Sequence, residues 1–160
     1  NATYWSNPVH WNWAVHPNPR EKASFLKENF IPLEKAGQLK FLDVQDSLYE
    51  WLPGLKVQCV YGHTEAMMLL HISEGDKYFV YCADLVPSQF HLGAPYVMSY
   101  DMRPLKTMEE KNGLLEEALQ NDWKLGFEHD PSTGCISVHQ NEKGRIAVNE
   151  VIDLESWWNG

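Results

Sequence analysis

The fold is decided between residues 55 and 84, which read LKVQCVYGHTEAMMLLHISEGDKYFVYCAD. Residues 55–61 alternate between apolar and polar side chains, as in a strand with one buried face. Residues 67–72 and 78–83 are mainly apolar, and Glu74-Gly75-Asp76-Lys77 between them is typical of a hairpin turn. Strands that are apolar on both faces need cover on both sides. The stretch therefore predicts the centre of a layered α/β fold.

The sequence on either side predicts helices and further strands. The proposed helices are residues 8–15, residues 20–36 with Asn18 as their cap, and residues 104–121. Short strands are expected at residues 40–43, 124–127, 135–139 and 145–152. No linker divides the chain, so residues 1–160 are expected to form one domain.

Composition excludes several function classes. The 160 residues carry 22 acidic and 13 basic side chains, a formal charge of −9, without a basic stripe. Binding to nucleic acid or to an anionic membrane is therefore not expected. No apolar run is long enough to span a bilayer. The three cysteines form no CxxC motif and are expected to be reduced, which favours a cytoplasmic location.

Three predicted strands are each followed directly by a histidine or an aspartate. Gly62-His63-Thr64, Ala83-Asp84-Leu85 and Glu128-His129-Asp130 begin the loops after these strands. Loops held by a rigid sheet are common places for binding sites. Imidazole nitrogens and carboxylate oxygens bind zinc and similar ions, although an isolated histidine is more often a surface or core residue. Spacing alone therefore gives a weak indication of a metal site.

The order of the motifs gives a stronger indication. Tyr61-Gly62-His63-Thr64, then residues 81–87 (YCADLVP), then Phe127-Glu128-His129-Asp130 resemble the later motifs of the metallo-β-lactamase superfamily. The stretch from Asp84 to His129 resembles the lactonase and organophosphate-hydrolase-like members most. The resemblance implies half of an αββα sandwich, with one mostly antiparallel or mixed sheet and flanking helices. Because the chain starts on Asn1 and not on Met, it is expected to be the C-terminal half, with the N-terminal half absent.

The resemblance also implies roles for three residues. His63 would bind one metal ion, His129 a second, and Asp84 would bridge the two ions, which would be zinc in the intact protein. The intact protein would cleave an ester, lactone or similar bond in a small-molecule substrate with a metal-bound hydroxide. The family's His-x-His-x-Asp-His motif does not occur in this chain, which holds at most three of the usual seven ligands. The chain alone is therefore expected to be inactive.

Other polar residues are weaker candidates. His91 could line the substrate pocket or be a plain loop histidine. Arg103 could bind a substrate carboxylate or phosphoryl group, or form a local ion pair with Asp101 before the helix. Asp130 could orient the His129 imidazole as an acceptor, or simply belong to a turn. His71, inside an apolar strand, is expected to be buried and hydrogen-bonded.

Two other functions remain open on the sequence. The chain could be a non-catalytic half-domain, stable as a homo-oligomer or in complex with its N-terminal half, because a lost half would expose apolar surface. It could also be a small-ligand-binding protein unrelated to metals, in which case the three strand-end motifs are coincidental.

Overall fold

The computed structural model describes residues 2–44 and 48–160 of the chain. The strands are β1 (Tyr4–Ser6), β2 (Leu39–Phe41), β3 (Tyr49–Leu52), β4 (Leu55–Val60), β5 (Met67–Glu74), β6 (Lys77–Tyr81), β7 (Lys124–Gly126), β8 (Cys135–Gln140) and β9 (Ile146–Val151). The α-helices are α1 (Pro8–Val15), α2 (Lys27–Lys35), α3 (Pro104–Asn121) and α4 (Leu154–Asn159). No helix of the described residues is long and apolar enough to cross a membrane.

Seven of the strands form one mixed sheet. Its order follows the chain from β3 to β9, and each neighbouring pair is antiparallel except β6 and β7. The parallel step from β6 to β7 is bridged by α3, as a crossover between parallel strands requires. The short strands β1 and β2 pair with each other in parallel. The expected mixed sheet with flanking helices is therefore confirmed.

The main core lies between the sheet and α3. Fully buried side chains from strands and helix meet there, and they include Leu69, Val80, Leu115, Leu125 and Ile136. Burying one side chain of this size stabilises the fold by about 1.5–3 kcal/mol. This packing makes the sheet a rigid support for the loops that leave its edges.

The direction of three strands brings their following loops together. β4 runs antiparallel to β5, β5 runs antiparallel to β6, and β6 runs parallel to β7. β4, β6 and β7 consequently point the same way, and their carboxyl ends lie at one edge of the sheet. His63, Asp84 and His129 each follow the last residue of one of these strands by three positions.

The structure corrects the prediction of one helix over residues 20–36. Residues 19–24 form turns, in which Asn18 Oδ1 accepts hydrogen bonds from the amides of Arg20 and Glu21. Leu26 is extended, with φ −80° and ψ 101°, and α2 begins only at Lys27. The interruption allows the Glu21 carboxylate to point inward to Thr64 Oγ1 at 2.5 Å, a contact that a continuous amphipathic pattern does not anticipate.

Candidate metal centre

The three strand-end residues meet at one point. Asp84 Oδ2 lies 3.5 Å from His63 Nε2, and Asp84 Oδ1 lies 3.2 Å from His129 Nε2. Each oxygen of one carboxylate thus faces a different imidazole. The side chains of His63 and Asp84 are 15% and 24% exposed, whereas His129 is 56% exposed, so the cluster opens to solvent on the His129 side.

The Asp101 carboxylate orients His63, a role that the sequence analysis did not predict. Its Nδ1 donates to Asp101 Oδ1 at 2.8 Å, and Tyr100 packs edge-on against the ring. Burial lowers the pKa of His63, but the Asp101 hydrogen bond and the charges of Asp84, Asp101 and Glu21 outweigh it and raise the pKa above its ordinary value. A histidine whose Nδ1 is bound to a carboxylate presents Nε2 to its other partner, as metal-binding histidines commonly do.

The loop that carries His63 is clamped to the start of α3. A Cβ on Gly62 would lie 2.2 Å from the backbone nitrogen of Thr107, so only glycine allows this approach. The Glu110 carboxylate accepts hydrogen bonds from the amides of Tyr61 and Gly62, at 2.8 and 2.9 Å. The carbonyl of Gly62 in turn accepts from the Arg103 amide. The helix terminus and the strand end therefore position His63 together.

Glu128 is a further member of the cluster that the sequence analysis missed. Its Oε1 lies 3.1 Å from His129 Nε2, and its Oε2 accepts a hydrogen bond from the Tyr81 hydroxyl. One ligand atom each from Asp84, Glu128 and His129 lie within 4.8 Å of one another, which makes this a possible metal-binding group. The only sequence signal for Glu128 was its position next to His129.

The electrostatics of the cluster favour a cation. Burial raises the pKa of Asp84, and the charges of Glu128 and Asp101 raise it further, against the opposing effects of His63 and His129. Asp101 Oδ2 is buried and has no hydrogen-bond partner among the residues that the structure describes. Uncompensated carboxylate charge in a half-buried place is disfavoured unless positive charge is added.

The donor atoms fit a divalent metal. A carboxylate ion only accepts hydrogen bonds, so Asp101 assigns the proton of neutral His63 to Nδ1 and leaves a lone pair on Nε2. That lone pair faces the lone pairs of Asp84 Oδ2 at 3.5 Å. Two acceptors in this position repel each other unless a proton or a metal ion lies between them. Imidazole nitrogen with carboxylate oxygen is a donor set typical of zinc and related ions.

A small cavity lies over the cluster. It has a volume of about 210 Å³ and is lined by Arg20, Glu21, Ser24, Phe25, His63, Thr64, Asp84, Tyr100 and His129. Drug-sized ligands occupy cavities of roughly 300–1,000 Å³, so this one suits only the reacting part of a substrate. A cavity of about 520 Å³ between the loop at Gly93 and the turn at Gly144 is larger but contains no candidate ligand.

His91 and Arg103, the two candidates for the substrate pocket, lie outside the cavity over the cluster. His91 Nδ1 is bound to Ser88 Oγ at 2.8 Å. Arg103 forms an ion pair with Glu65 at 2.5 Å and lies over the Trp13 ring, so the expected local pair with Asp101 is wrong. The reason is that Asp101 turns inward to His63 while Arg103 turns outward.

Asp130 also has other partners than the expected one. Its carboxylate accepts hydrogen bonds from the amides of Gln89, Ser132 and Thr133. No contact with the His129 ring occurs in the described part of the chain. Burial raises the pKa of Asp130, but these hydrogen bonds together outweigh it and lower the pKa below its ordinary value. They fix the loop after His129 without orienting its imidazole.

Comparison with known proteins gives matches among solved structures only. No family model and no curated relative matches the sequence. The chain is similar to a probable metal-dependent hydrolase from Staphylococcus aureus, with a TM-score of 0.79 and 21% identity over 95% of this chain and 54% of that one. It is also similar to the hydrolase AbOPH of the β-lactamase superfamily, with a TM-score of 0.77 and 17% identity over 95% and 56% of the two chains.

A third similar structure is AidC, a dizinc quorum-quenching lactonase in complex with a product. Its TM-score is 0.68 and its identity 19%, over 96% of this chain and 56% of AidC. The chain therefore spans little more than half the length of each of these three structures. The seven-stranded sheet with its flanking helices is thus half of a metallo-β-lactamase fold.

Proposed function

We propose that this chain is one part of a dinuclear metal-dependent hydrolase. In this proposal His63 and His129 bind one ion each, and Asp84 bridges the two ions. The observation that carries the proposal is the placement of Asp84, whose two oxygens face the Nε2 atoms of two different histidines at 3.5 and 3.2 Å. The described residues bring these three side chains together at the carboxyl edge of the sheet, where loops commonly carry functional groups.

The other residues of the site would support this chemistry. Divalent ions held by His63, Asp84 and His129 would supply Lewis-acid chemistry, which lowers the pKa of a bound water and polarises the bond to be cleaved. Asp101 fixes the His63 ring so that Nε2 points to Asp84. Tyr100 and Phe25 give the cavity over the cluster an aromatic lining. Arg20, also in the lining, offers a positive charge to an anionic group of the substrate.

The substrate proposed is a small molecule with an ester, lactone or similar bond. Structures similar to this chain are a probable metal-dependent hydrolase, a β-lactamase-superfamily hydrolase and a lactonase, which supports this class. The proposed metal is zinc, with two ions in the intact protein. AidC contains two zinc ions, and the nitrogen and oxygen donors of His63, Asp84 and His129 suit zinc. A cytoplasmic location stays a prediction.

We further propose that the remaining ligands come from residues outside this chain. This chain covers only 54% and 56% of the first two similar structures, and the cluster of described residues supplies only a few of the ligands that two ions need. On this proposal the chain alone is inactive and gains activity with its N-terminal half. Hydrolysis of a lactone or an aryl ester by the metal-loaded chain alone would contradict the proposed inactivity of the isolated chain.

A non-catalytic half-domain that is stable as an oligomer is the second candidate. It is favoured by exposed apolar side chains. Of the fourteen large ones among the described residues, eight lie between residues 4 and 52: Tyr4, Trp5, Val9, Leu26, Phe41, Leu48, Tyr49 and Leu52. Apolar surface of this kind promotes association. Light scattering with size-exclusion chromatography tests it, since a monomer at micromolar concentration would argue against this candidate.

The proposed metal site is tested by binding measurements on the 160-residue chain. The wild-type chain is titrated with Zn²⁺ and compared with Asp84→Asn and His63→Gln. Matched controls are Asp76→Asn in the exposed hairpin turn and His139→Gln on the exposed part of β8. We expect both site variants to lose binding by about 100-fold or more, because each removes a direct ligand, and the controls to bind as the wild type does. Unchanged affinity in Asp84→Asn would overturn the proposal.

A further inference from the structure

Glu128 occupies a place in the cluster that the three strand-end residues do not account for. We propose that Glu128 is a third protein ligand on the His129 side of the site, and that it shifts this position toward Mn²⁺ relative to Zn²⁺. The inference rests on the proposed function, since it takes Asp84 and His129 as ligands of the same ion. It adds a ligand, and a metal preference, that the three-residue site does not have.

The distances are those of neighbouring ligands around one ion. Glu128 Oε1 lies 3.1 Å from His129 Nε2, which lies 3.2 Å from Asp84 Oδ1. Two ligands of one tetrahedral zinc ion lie roughly 3.3 Å apart, since each bond is roughly 2.0–2.1 Å long. The three donor atoms lie within 4.8 Å of one another, so one ion can contact all of them with small side-chain shifts.

The fold holds Glu128 in this orientation. Tyr81 ends β6 and pairs with Gly126 at the end of β7, so its ring lies beside the strand that Glu128 follows. The Tyr81 hydroxyl donates to Oε2 of Glu128, which leaves Oε1 for the His129 side. The His129 amide donates to the Pro87 carbonyl at 3.1 Å and fixes the same loop. A hydrogen bond on the far oxygen is the usual support of a metal-binding carboxylate.

A simple surface ion pair between Glu128 and His129 explains less. Exposed pairs of this kind contribute little to stability and need no supporting hydrogen bond from a tyrosine. Asp84 and Glu128 also converge on the same imidazole nitrogen, at 3.2 and 3.1 Å. Two carboxylates in such proximity repel each other unless a cation lies between them.

The donor set determines the expected metal preference. Asp84, Glu128 and His129 offer two carboxylates and one imidazole on this side of the site. Carboxylate ligands suit Mn²⁺ and other hard ions, whereas imidazole suits zinc and later transition metals. Removal of Glu128 should therefore weaken Mn²⁺ binding more than Zn²⁺ binding, even though Zn²⁺ remains the more tightly bound ion.

The test compares Glu128→Gln and Tyr81→Phe with the wild-type chain. Glu142→Gln, in the exposed turn before β9, is the matched control. Free Mn²⁺ is counted by electron paramagnetic resonance, and Zn²⁺ affinity is measured by competition with a chromophoric chelator. We expect Glu128→Gln to weaken Mn²⁺ binding by about 10–100-fold and Zn²⁺ binding by less. Tyr81→Phe should change both in the same direction by a smaller factor, because it removes only the positioning hydroxyl.

The outcomes separate this inference from the proposed function. If Glu128→Gln binds both ions as the wild type does while Asp84→Asn does not, the inference is overturned and the proposed function stands. If Glu128→Gln and Asp84→Asn both lose Mn²⁺ but His63→Gln binds normally, the dinuclear site is wrong and Glu128 is still a ligand. Thermal unfolding of the metal-free variants checks folding, and Glu128→Asp, which keeps the carboxylate, should recover part of the lost affinity. A wild-type chain that binds neither ion overturns the inference, because Asp84, Glu128 and His129 then do not hold an ion; the proposed function, which takes further ligands from outside this chain, stands.

Discussion

Two histidines, the half-buried His63 and the buried His71, lie close together in the sequence but have opposite surroundings. His63 donates Nδ1 to Asp101 and turns Nε2 toward Asp84 at 3.5 Å. His71, 2% exposed inside β5, uses both ring nitrogens within the protein, with Gln58 at 3.0 Å and the Tyr78 hydroxyl at 3.2 Å. His63 therefore has a ring nitrogen that can bind a cation, whereas both ring nitrogens of His71 are engaged in hydrogen bonds.

The pKa values of the two residues move in opposite directions for this reason. Burial lowers the pKa of His71 to about 4, and the charge of Lys56 acts in the same direction. Burial also lowers the pKa of His63, but the carboxylates around it raise the pKa overall. The difference teaches that burial alone does not identify a functional histidine. What separates the two is whether the neighbours leave a nitrogen facing negative charge.

The largest expected effect comes from the clamp next to His63. Gly62→Ala places a Cβ 2.2 Å from the Thr107 backbone, so α3 must move away from the strand end. We expect a loss of about 3 kcal/mol in the free energy of unfolding, or failure to fold, as in severe overpacking. Urea unfolding followed by circular dichroism measures it. Gly113→Ala is the control, because nothing lies within 4 Å of its Cβ, and it should stabilise α3 by about 0.5–1 kcal/mol.

The second-largest effect is expected for Asp101, the hydrogen-bond partner of His63. Asp101→Asn removes the negative charge behind the ring and weakens its hold on the Nδ1 proton. We expect Zn²⁺ affinity to fall by about 10–100-fold, the usual effect of changing such a supporting carboxylate. The stability of the metal-free chain should not fall in parallel, because Asp101 Oδ2 has no hydrogen-bond partner among the described residues. Equal losses in stability and affinity would contradict a positioning role.

The regular parts of the fold were predictable from local pattern. The helices at residues 8–15 and 104–121 were predicted with their observed bounds. The first was recognised from its cap and the proline at its first position, and the second from its apolar stripe. β4, β5 and β6 were predicted within one or two residues. The strand β3 and the helix α4 were missed, since four and six residues are too few to establish a period.

The site was predictable where it depends on strand ends and not where it depends on loop paths. The motifs placed His63, Asp84 and His129 directly after three strands, and the structure brings them together at one sheet edge. Asp101 reaches His63 only because the loop after residue 91 returns to the sheet, and Lys111 Nζ fixes that loop through three backbone carbonyls. Such a contact across 38 residues leaves no local signal.

A third prediction concerns the interior histidine. His71 has a lower pKa in the folded chain, about 4, than in the unfolded chain, so the unfolded chain binds more protons as the pH falls below 6.5. The stability that neutral His71 contributes is present above this range and is lost between pH 6.5 and about 4. Wild-type stability should fall by about 2 kcal/mol more than that of His71→Gln between about pH 7.5 and about pH 5. Urea unfolding at both pH values measures it, with His139→Gln as control. Parallel profiles would contradict the assignment.

The smallest expected effect tests whether Arg103 influences metal binding or only stabilises the loop that carries His63. Arg103 pairs with Glu65, donates to the Tyr61 carbonyl at 2.6 Å and covers Trp13, and its side chain is 43% exposed. Arg103→Lys should lower the free energy of unfolding by less than about 1 kcal/mol, as for other exposed pairs. Zn²⁺ affinity should equal that of Lys106→Gln, which breaks an exposed pair on α3. If Arg103→Lys weakens Zn²⁺ binding while Lys106→Gln does not, Arg103 acts on the metal cluster. If neither variant changes it, the arginine only ties the loop after β4 to the start of α3, and His63 depends on it no more than His71 does.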